Sequence, residues 1–157
     1  MISPGKNFKR SLPLHVLRQG EEAETTLKQL LKRRTILSVY MKNNTPSCDR
    51  QNDSLAARAP IFNRAGYDLI AISRDSCGSH AKYAAKKGIA YPLVSDPDDR
   101  FAQVTDSLVE KSMYGKKFVG PARAAYVLDR DGTVLAVVEK VDTADHAAQL
   151  LDVIKKL

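Results

Sequence analysis

Apolar positions recur along this chain in two rhythms. Thr35 to Met41 is a β-branched and apolar run closed by Lys42-Asn43-Asn44, and Tyr67 to Ser73 is a second; both read as buried strands. Leu14 to Leu17 alternates more weakly, ahead of Gly20 and an acidic patch. Leu27, Leu30 and Leu31 share one stripe with Lys28 and Lys32 opposite, which predicts a helix over Thr25 to Lys32. Leu55, Ala59 and Phe62 fall at helical spacing and predict a helix over 48–65, in which Pro60 removes a donor and introduces a kink and which Gly66 ends. Ser79 to Lys87 predicts another helix, stopped by Gly88. Residues 91–95 predict a short strand at an edge or an end, because Pro92 cannot donate to a ladder. Asp96 to Val104 opens with capping acids and predicts a short helix. Glu110 to Ala122 has no period and three glycine or proline breakers, which predicts a long loop. Ala124 to Leu128 and Thr133 to Val138 flank Asp129-Arg130-Asp131-Gly132, a hairpin signal. Ala144 to Leu157 carries Ala147, Leu150, Leu151 and Ile154 on one face and predicts a final helix capped by Asp142 or Thr143.

Strands alternating with helices, followed by a hairpin and a last helix, predict one α/β domain over 1–157 with a mixed central sheet, residues 1–12 forming a loose lead-in. Two cysteines exclude a disulfide framework and a four-cysteine zinc site, so sulfur chemistry must be local. The run Ile36 to Met41 is far short of a membrane span, and no apolar segment follows Met1-Ile2-Ser3-Pro4-Gly5-Lys6. A cytoplasmic location with no membrane partner is therefore expected. The net charge of +7 is compatible with anionic partners. Its lysines and arginines are scattered in pairs such as Lys86-Lys87 and Lys116-Lys117, without interleaved aromatics, so no nucleic-acid partner is expected. His15 and His146 combine with the cysteines at no zinc spacing, and no phosphate-binding or dinucleotide fingerprint occurs, so no metal and no cofactor are expected.

Cys48 is the strongest candidate for chemistry. It follows a strand and a loop at the predicted first turn of a helix, where unpaired backbone N–H groups and the positive end of the helix dipole favour a thiolate. Thr45 offers a hydroxyl three residues earlier. Taken alone, Cys48 also fits a small buried apolar residue, Thr45 a loop cap and Arg123 a surface ion-pair partner. His80 reads as packing rather than catalysis. A strand that runs through a loop into a helix beginning with cysteine resembles the arrangement of thioredoxin-like proteins.

The resemblance sharpens at the level of motifs. Tyr40-Met41-Lys42-Asn43-Asn44-Thr45-Pro46-Ser47-Cys48 is similar to the active-site segment of peroxiredoxins of the bacterioferritin comigratory protein (PrxQ) class, which usually read Tyr-Pro-x-x-x-Thr-Pro-Gly-Cys. Matching blocks follow in order at Ile72 to Ser76, Tyr91 to Asp96, Lys111 to Gly120, Arg123 and Val127 to Gly132. The resemblance implies a thiol peroxidase on a thioredoxin-like fold, with helices on both faces of the sheet and no metal, haem or flavin. Hydroperoxides are the implied substrate and thioredoxin or a similar thiol the implied reductant, in a monomer or homodimer. It makes Cys48 the peroxidatic cysteine, Thr45 the active-site threonine and Arg123 the active-site arginine.

Three departures stand out. Met41 replaces a proline that helps to shield the thiolate, which puts shielding in doubt. Ala124 and Ala125 stand where relatives often carry hydroxyl residues. Asp53 occupies the position of the resolving cysteine that many members carry in the same helix, which leaves Cys77 as the possible resolving thiol or else as helix-start packing. A degenerate thioredoxin-fold binding module without peroxidase turnover is the alternative these departures leave open.

Overall fold

The two apolar runs form the centre of the sheet. In the computed structural model, which describes residues 1–7 and 10–157, β3 (Thr35–Val39) and β4 (Asp68–Ser73) pair in parallel, Ile36 opposite Leu69 and Val39 opposite Ile72. Both are buried on two faces, which is why they read as continuous rather than alternating runs. Successive side chains go to opposite sides: Leu37, Val39, Ile70 and Ile72 enter one core, while Ile36, Tyr40, Leu69 and Ala71 enter the other.

Five more strands complete the sheet: β1 (Pro13–Arg18), β2 (Glu21–Thr26), β5 (Leu93–Ser95), β8 (Ala125–Leu128) and β9 (Val134–Val138). Their order is β2-β1-β5-β4-β3-β8-β9, mixed in direction. The first core packs α1 (Leu27–Leu30) and α4 (Arg100–Val104) on one face of this sheet. The second packs α2 (Pro46–Arg64), α3 (Cys77–Lys87) and α5 (His146–Lys155) on the other. Leu55 and Phe62 anchor α2 there almost without exposure, each burial contributing roughly 2–3 kcal/mol. A separate hairpin joins β6 (Leu108–Met113) to β7 (Lys116–Pro121). The architecture is the thioredoxin-like α/β fold expected from the sequence.

Several elements differ from their expectation, each for a local reason. The Glu110 to Ala122 stretch is not a loop but the β6–β7 hairpin, turning at Tyr114 and Gly115 with φ of 52° and 75°. Its β7 strand is exposed over most of its length, so no alternation marks it in sequence. The helix expected over Thr25 to Lys32 shrinks to one turn, because Thr25 and Thr26 finish β2 as an edge strand that is polar on both faces. Strand β5 is internal, with β1 on one side and β4 on the other; Pro92 lies just before it and its missing donor does not interrupt the ladder. Helix α2 continues through Pro60 to Arg64. The cap of α5 is Asp145, whose carboxylate accepts from the Ala148 N–H at 3.2 Å, while Asp142 accepts from Ala144 N–H at 3.0 Å. Residues of the polar start are tied down, Ile2 N–H to the Thr105 carbonyl and Gly5 N–H to that of Val134.

Candidate active site

The segment that carries β3 into α2 is held from beneath by a buried polar cluster. The Tyr40 hydroxyl donates to Asn43 Oδ1 at 2.6 Å, and the Asn43 backbone N–H donates to Asp75 Oδ2 at 3.0 Å. The Asn43 amide donates in turn to Ser79 Oγ and to His80 Nδ1. His80 Nε2 faces the Val94 carbonyl, an acceptor only, so its proton sits on Nε2 and Nδ1 is free to accept. Burial pushes the His80 pKa down and keeps the ring neutral. His80 is thus a buried packing residue, where the sequence alone does not choose between surface and core.

Thr45 is the N-cap of α2 by its extended backbone, but its hydroxyl does not cap the helix; it donates instead to the Lys42 carbonyl at 2.8 Å. Pro46 takes the first helical position, where a missing N–H costs nothing. Cys48 therefore lies in the first turn and is only 1% exposed, so Met41 does not leave the sulfur open to solvent. Burial alone would push the thiol up. The Thr45 hydroxyl, once its single proton turns from the Lys42 carbonyl to the sulfur, the backbone N–H groups of Lys42 and Met41 and the charge of Arg123 outweigh it and hold the Cys48 pKa below its ordinary value. Met41, unlike the proline of relatives, has an N–H to give.

Arg123 lies between β7 and β8 and reaches back over α2. One of its terminal nitrogens stands 3.4 Å from Cys48 Sγ, and the other donates to Gln51 Oε1 at 2.8 Å. Cys48, Thr45 and Arg123 are therefore brought together across 75 residues of chain between Cys48 and Arg123. Ala124 and Ala125, just beyond, are fully buried. Cys77 is not part of this cluster. It is the first residue of α3, buried, with burial and the charge of Glu22 pushing its pKa up, and both cysteines are free thiols.

Sequence reasoning missed four neighbours. Gln51 lies one turn beyond Cys48 and is fully buried against Arg123, a position that helical spacing could have flagged. Ser38 is a polar interruption in a buried strand and bonds both Gln51 and His146, although nothing local in the sequence links them. Lys111, from the hairpin, donates to the Met41 sulfur; burial, then the charges of Arg123 and Arg74, push its pKa down. Tyr83 of α3 donates to Asp49 at 2.7 Å, and Lys87 pairs with Asp53 at 3.2 Å, so the start of α2 is clamped to α3.

A buried sulfur biased toward the thiolate, with a guanidinium and a hydroxyl beside it, can attack a polarisable electrophile and stabilise the anion that leaves. The chain matches the AhpC/TSA family model over residues 7–137. It is 36% identical over 132 residues to the peroxiredoxin Bcp of Xanthomonas campestris, covering 84% of this chain and 82% of that protein. A solved structure of Xanthomonas campestris peroxiredoxin Q superposes with a TM-score of 0.84 at 34% identity, covering 99% of this chain and 96% of that one. A mutant of Xylella fastidiosa PrxQ gives a TM-score of 0.87 at 26% identity, with 99% and 97% covered. Another structure of the Xanthomonas campestris protein concerns its alkyl peroxide reduction activity. With this fold and sequence likeness over most of its length, the chain belongs to the AhpC/TSA family and, within it, to the Bcp/PrxQ class of peroxiredoxins.

Proposed function

We propose that this peroxiredoxin reduces hydrogen peroxide and small organic hydroperoxides through Cys48. In this reading the thiolate attacks the terminal oxygen of the hydroperoxide. The S–O bond forms as the O–O bond breaks, the hydroxyl stays on sulfur as a sulfenic acid, and the departing alkoxide or hydroxide takes up a proton. Arg123 holds the thiolate and the peroxide in line and, being cationic at all working pH, stabilises the departing oxygen without losing a proton to it. Thr45 supplies a hydroxyl that can donate to one centre and accept from another. The observation that carries the reading is the Arg123 nitrogen 3.4 Å from Cys48 Sγ.

A second thiol then condenses with the sulfenic acid, releasing water, and a further thiol frees Cys48. Thioredoxin or a similar dithiol is the proposed reductant. Cys77 is the chain's other thiol and fills the resolving role if the first turn of α2 opens; otherwise the external thiol attacks directly. Two thiols that must return to the reduced state fit a reducing compartment such as the cytoplasm.

The test is peroxide consumption with thioredoxin and its reductase. Cys48→Ser is expected to abolish it, and turnover equal to wild type in that variant contradicts the reading. Intact mass after one equivalent of peroxide separates the two recycling routes: a gain of one oxygen indicates a persistent sulfenic acid, a loss of two hydrogens a Cys48–Cys77 disulfide.

A further inference from the structure

Behind Arg123 a line of buried side chains crosses from α2 through β3 to α5. Arg123 donates to Gln51 Oε1 at 2.8 Å, and Gln51 Nε2 lies 2.8 Å from Ser38 Oγ. Ser38 Oγ in turn lies 3.1 Å from His146 Nε2, and His146 Nδ1 lies 3.2 Å from Gln149 Oε1. Ser38, Gln51 and His146 are each buried, with 1% exposure or less.

The donor and acceptor sense of every link is fixed from the far end. The Gln149 amide is oriented by two backbone groups: its Nε2 donates to the Lys140 carbonyl at 2.7 Å, and its Oε1 accepts from the Asp142 N–H at 2.9 Å. Oε1 therefore faces His146, so Nδ1 must carry the imidazole proton and Nε2 must accept. Ser38 then gives its single proton to Nε2. That leaves it only an acceptor toward Gln51, which must present its NH₂ to Ser38 and its oxygen to Arg123. The Val39 carbonyl, 3.3 Å from Gln51 Nε2, favours the same orientation. Burial keeps the ring neutral at working pH, so the accepting lone pair is available.

We propose that His146 is a positioning residue: by taking the Ser38 proton it fixes the orientation of the Gln51 amide, and through it seats the Arg123 guanidinium on Cys48. Without that acceptor, Ser38 can donate toward Gln51. A flipped amide then satisfies Ser38 and turns its NH₂ against the guanidinium. The proposal rests on Cys48 being the reacting sulfur.

The test is a double-mutant cycle in a Cys77→Ser background. The Cys48 thiolate is titrated by its ultraviolet absorbance, and the rate constant with hydrogen peroxide is measured by competition. His146→Phe is expected to raise the Cys48 pKa and to slow the peroxide reaction about three- to tenfold at neutral pH, the effect of one neutral hydrogen bond. His146→Gln, whose carbonyl oxygen can accept from Ser38, is expected to restore most of both. In a Gln51→Glu background, where a carboxylate oxygen meets Arg123 in either orientation, His146→Phe is expected to change neither. Should His146→Phe fail to fold, His146→Leu, which also removes the acceptor and keeps the Ser38 hydroxyl, replaces it in the same cycle with the same expectation. An unchanged Cys48 titration in the single variant, or an equal shift in both backgrounds, overturns the proposal. If no protein in the set reacts with peroxide, the peroxidase reading fails while the titrations still decide the role of His146.

Discussion

At Cys48 a penalty and several gains oppose each other, and the gains win. Burial favours the neutral thiol; a hydroxyl, two backbone N–H groups and a guanidinium favour the thiolate. Since the nucleophile is the thiolate, the rate with peroxide should stay flat as pH falls below the ordinary thiol range and decline only below the lowered Cys48 value. A stopped-flow pH profile checks this, and a midpoint at the value of free cysteine contradicts it. The same shift has a stability consequence with a definite sign. A depressed pKa stabilises the fold above the ordinary thiol value, and that contribution is lost as pH falls through the folded value. Wild type should therefore gain stability over Cys48→Ser as pH rises from neutral toward 9 or so, which denaturant titrations can follow. Arg123→Lys keeps a charge but not the fork that holds Gln51 and Cys48 together. We expect the rate constant to fall by about 10²–10³ with the fold intact by circular dichroism. Cys48 and Arg123 were legible because each lies within a motif; Gln51, Ser38 and His146 were not, because they meet only when α2, β3 and α5 pack.

Among the elements, the start of α2 has the most bearing on turnover. Its first turn holds Cys48, and on the proposed two-cysteine route a disulfide with Cys77 is expected to need that turn to open. Tyr83 donating to Asp49 and Lys87 pairing with Asp53 hold it shut, and Asp53 stands where many relatives place the resolving thiol. Removing the Tyr83 hydroxyl takes away a hydrogen bond to a carboxylate, with an expected cost of about 1.5–3 kcal/mol to the closed turn. Tyr83→Phe should accordingly raise the rate at which an alkylating reagent reaches Cys48 at a fixed thiolate fraction, and an unchanged rate would show that the clamp does not govern opening. Elements with a buried apolar face, β3, β4 and α5, could be read from their period. The β6–β7 hairpin could not, because its strands are largely exposed and Tyr114 takes the left-handed turn conformation that Asn or Asp more often adopts. Edge strand β2 was hidden for the same reason, being acidic on both faces.

For the molecule as a whole, the buried histidines are expected to weaken the fold as pH falls below their ordinary range. His146 is held at about 4 against an ordinary 6.5, chiefly by burial, with Arg123 acting in the same sense and Gln149 and Asp142 opposing. Between those values the unfolded chain binds the extra proton, so stability should fall as pH is lowered through this window. The loss from His146 is at most about 3 kcal/mol, and His80 adds in the same direction. Urea midpoints measured at pH about 7 and about 5 should differ by more in wild type than in His146→Gln; equal differences would assign the loss elsewhere. On the proposed function, the packing of α2 under Arg123 makes one sulfur a peroxide-reactive nucleophile. Competition kinetics with one equivalent of hydrogen peroxide, followed by peptide mass analysis, test it most directly. Oxidation at Cys48 should run at least about a hundredfold faster than that of free cysteine. A rate equal to that of free cysteine, or oxidation that falls elsewhere in the chain, would contradict it.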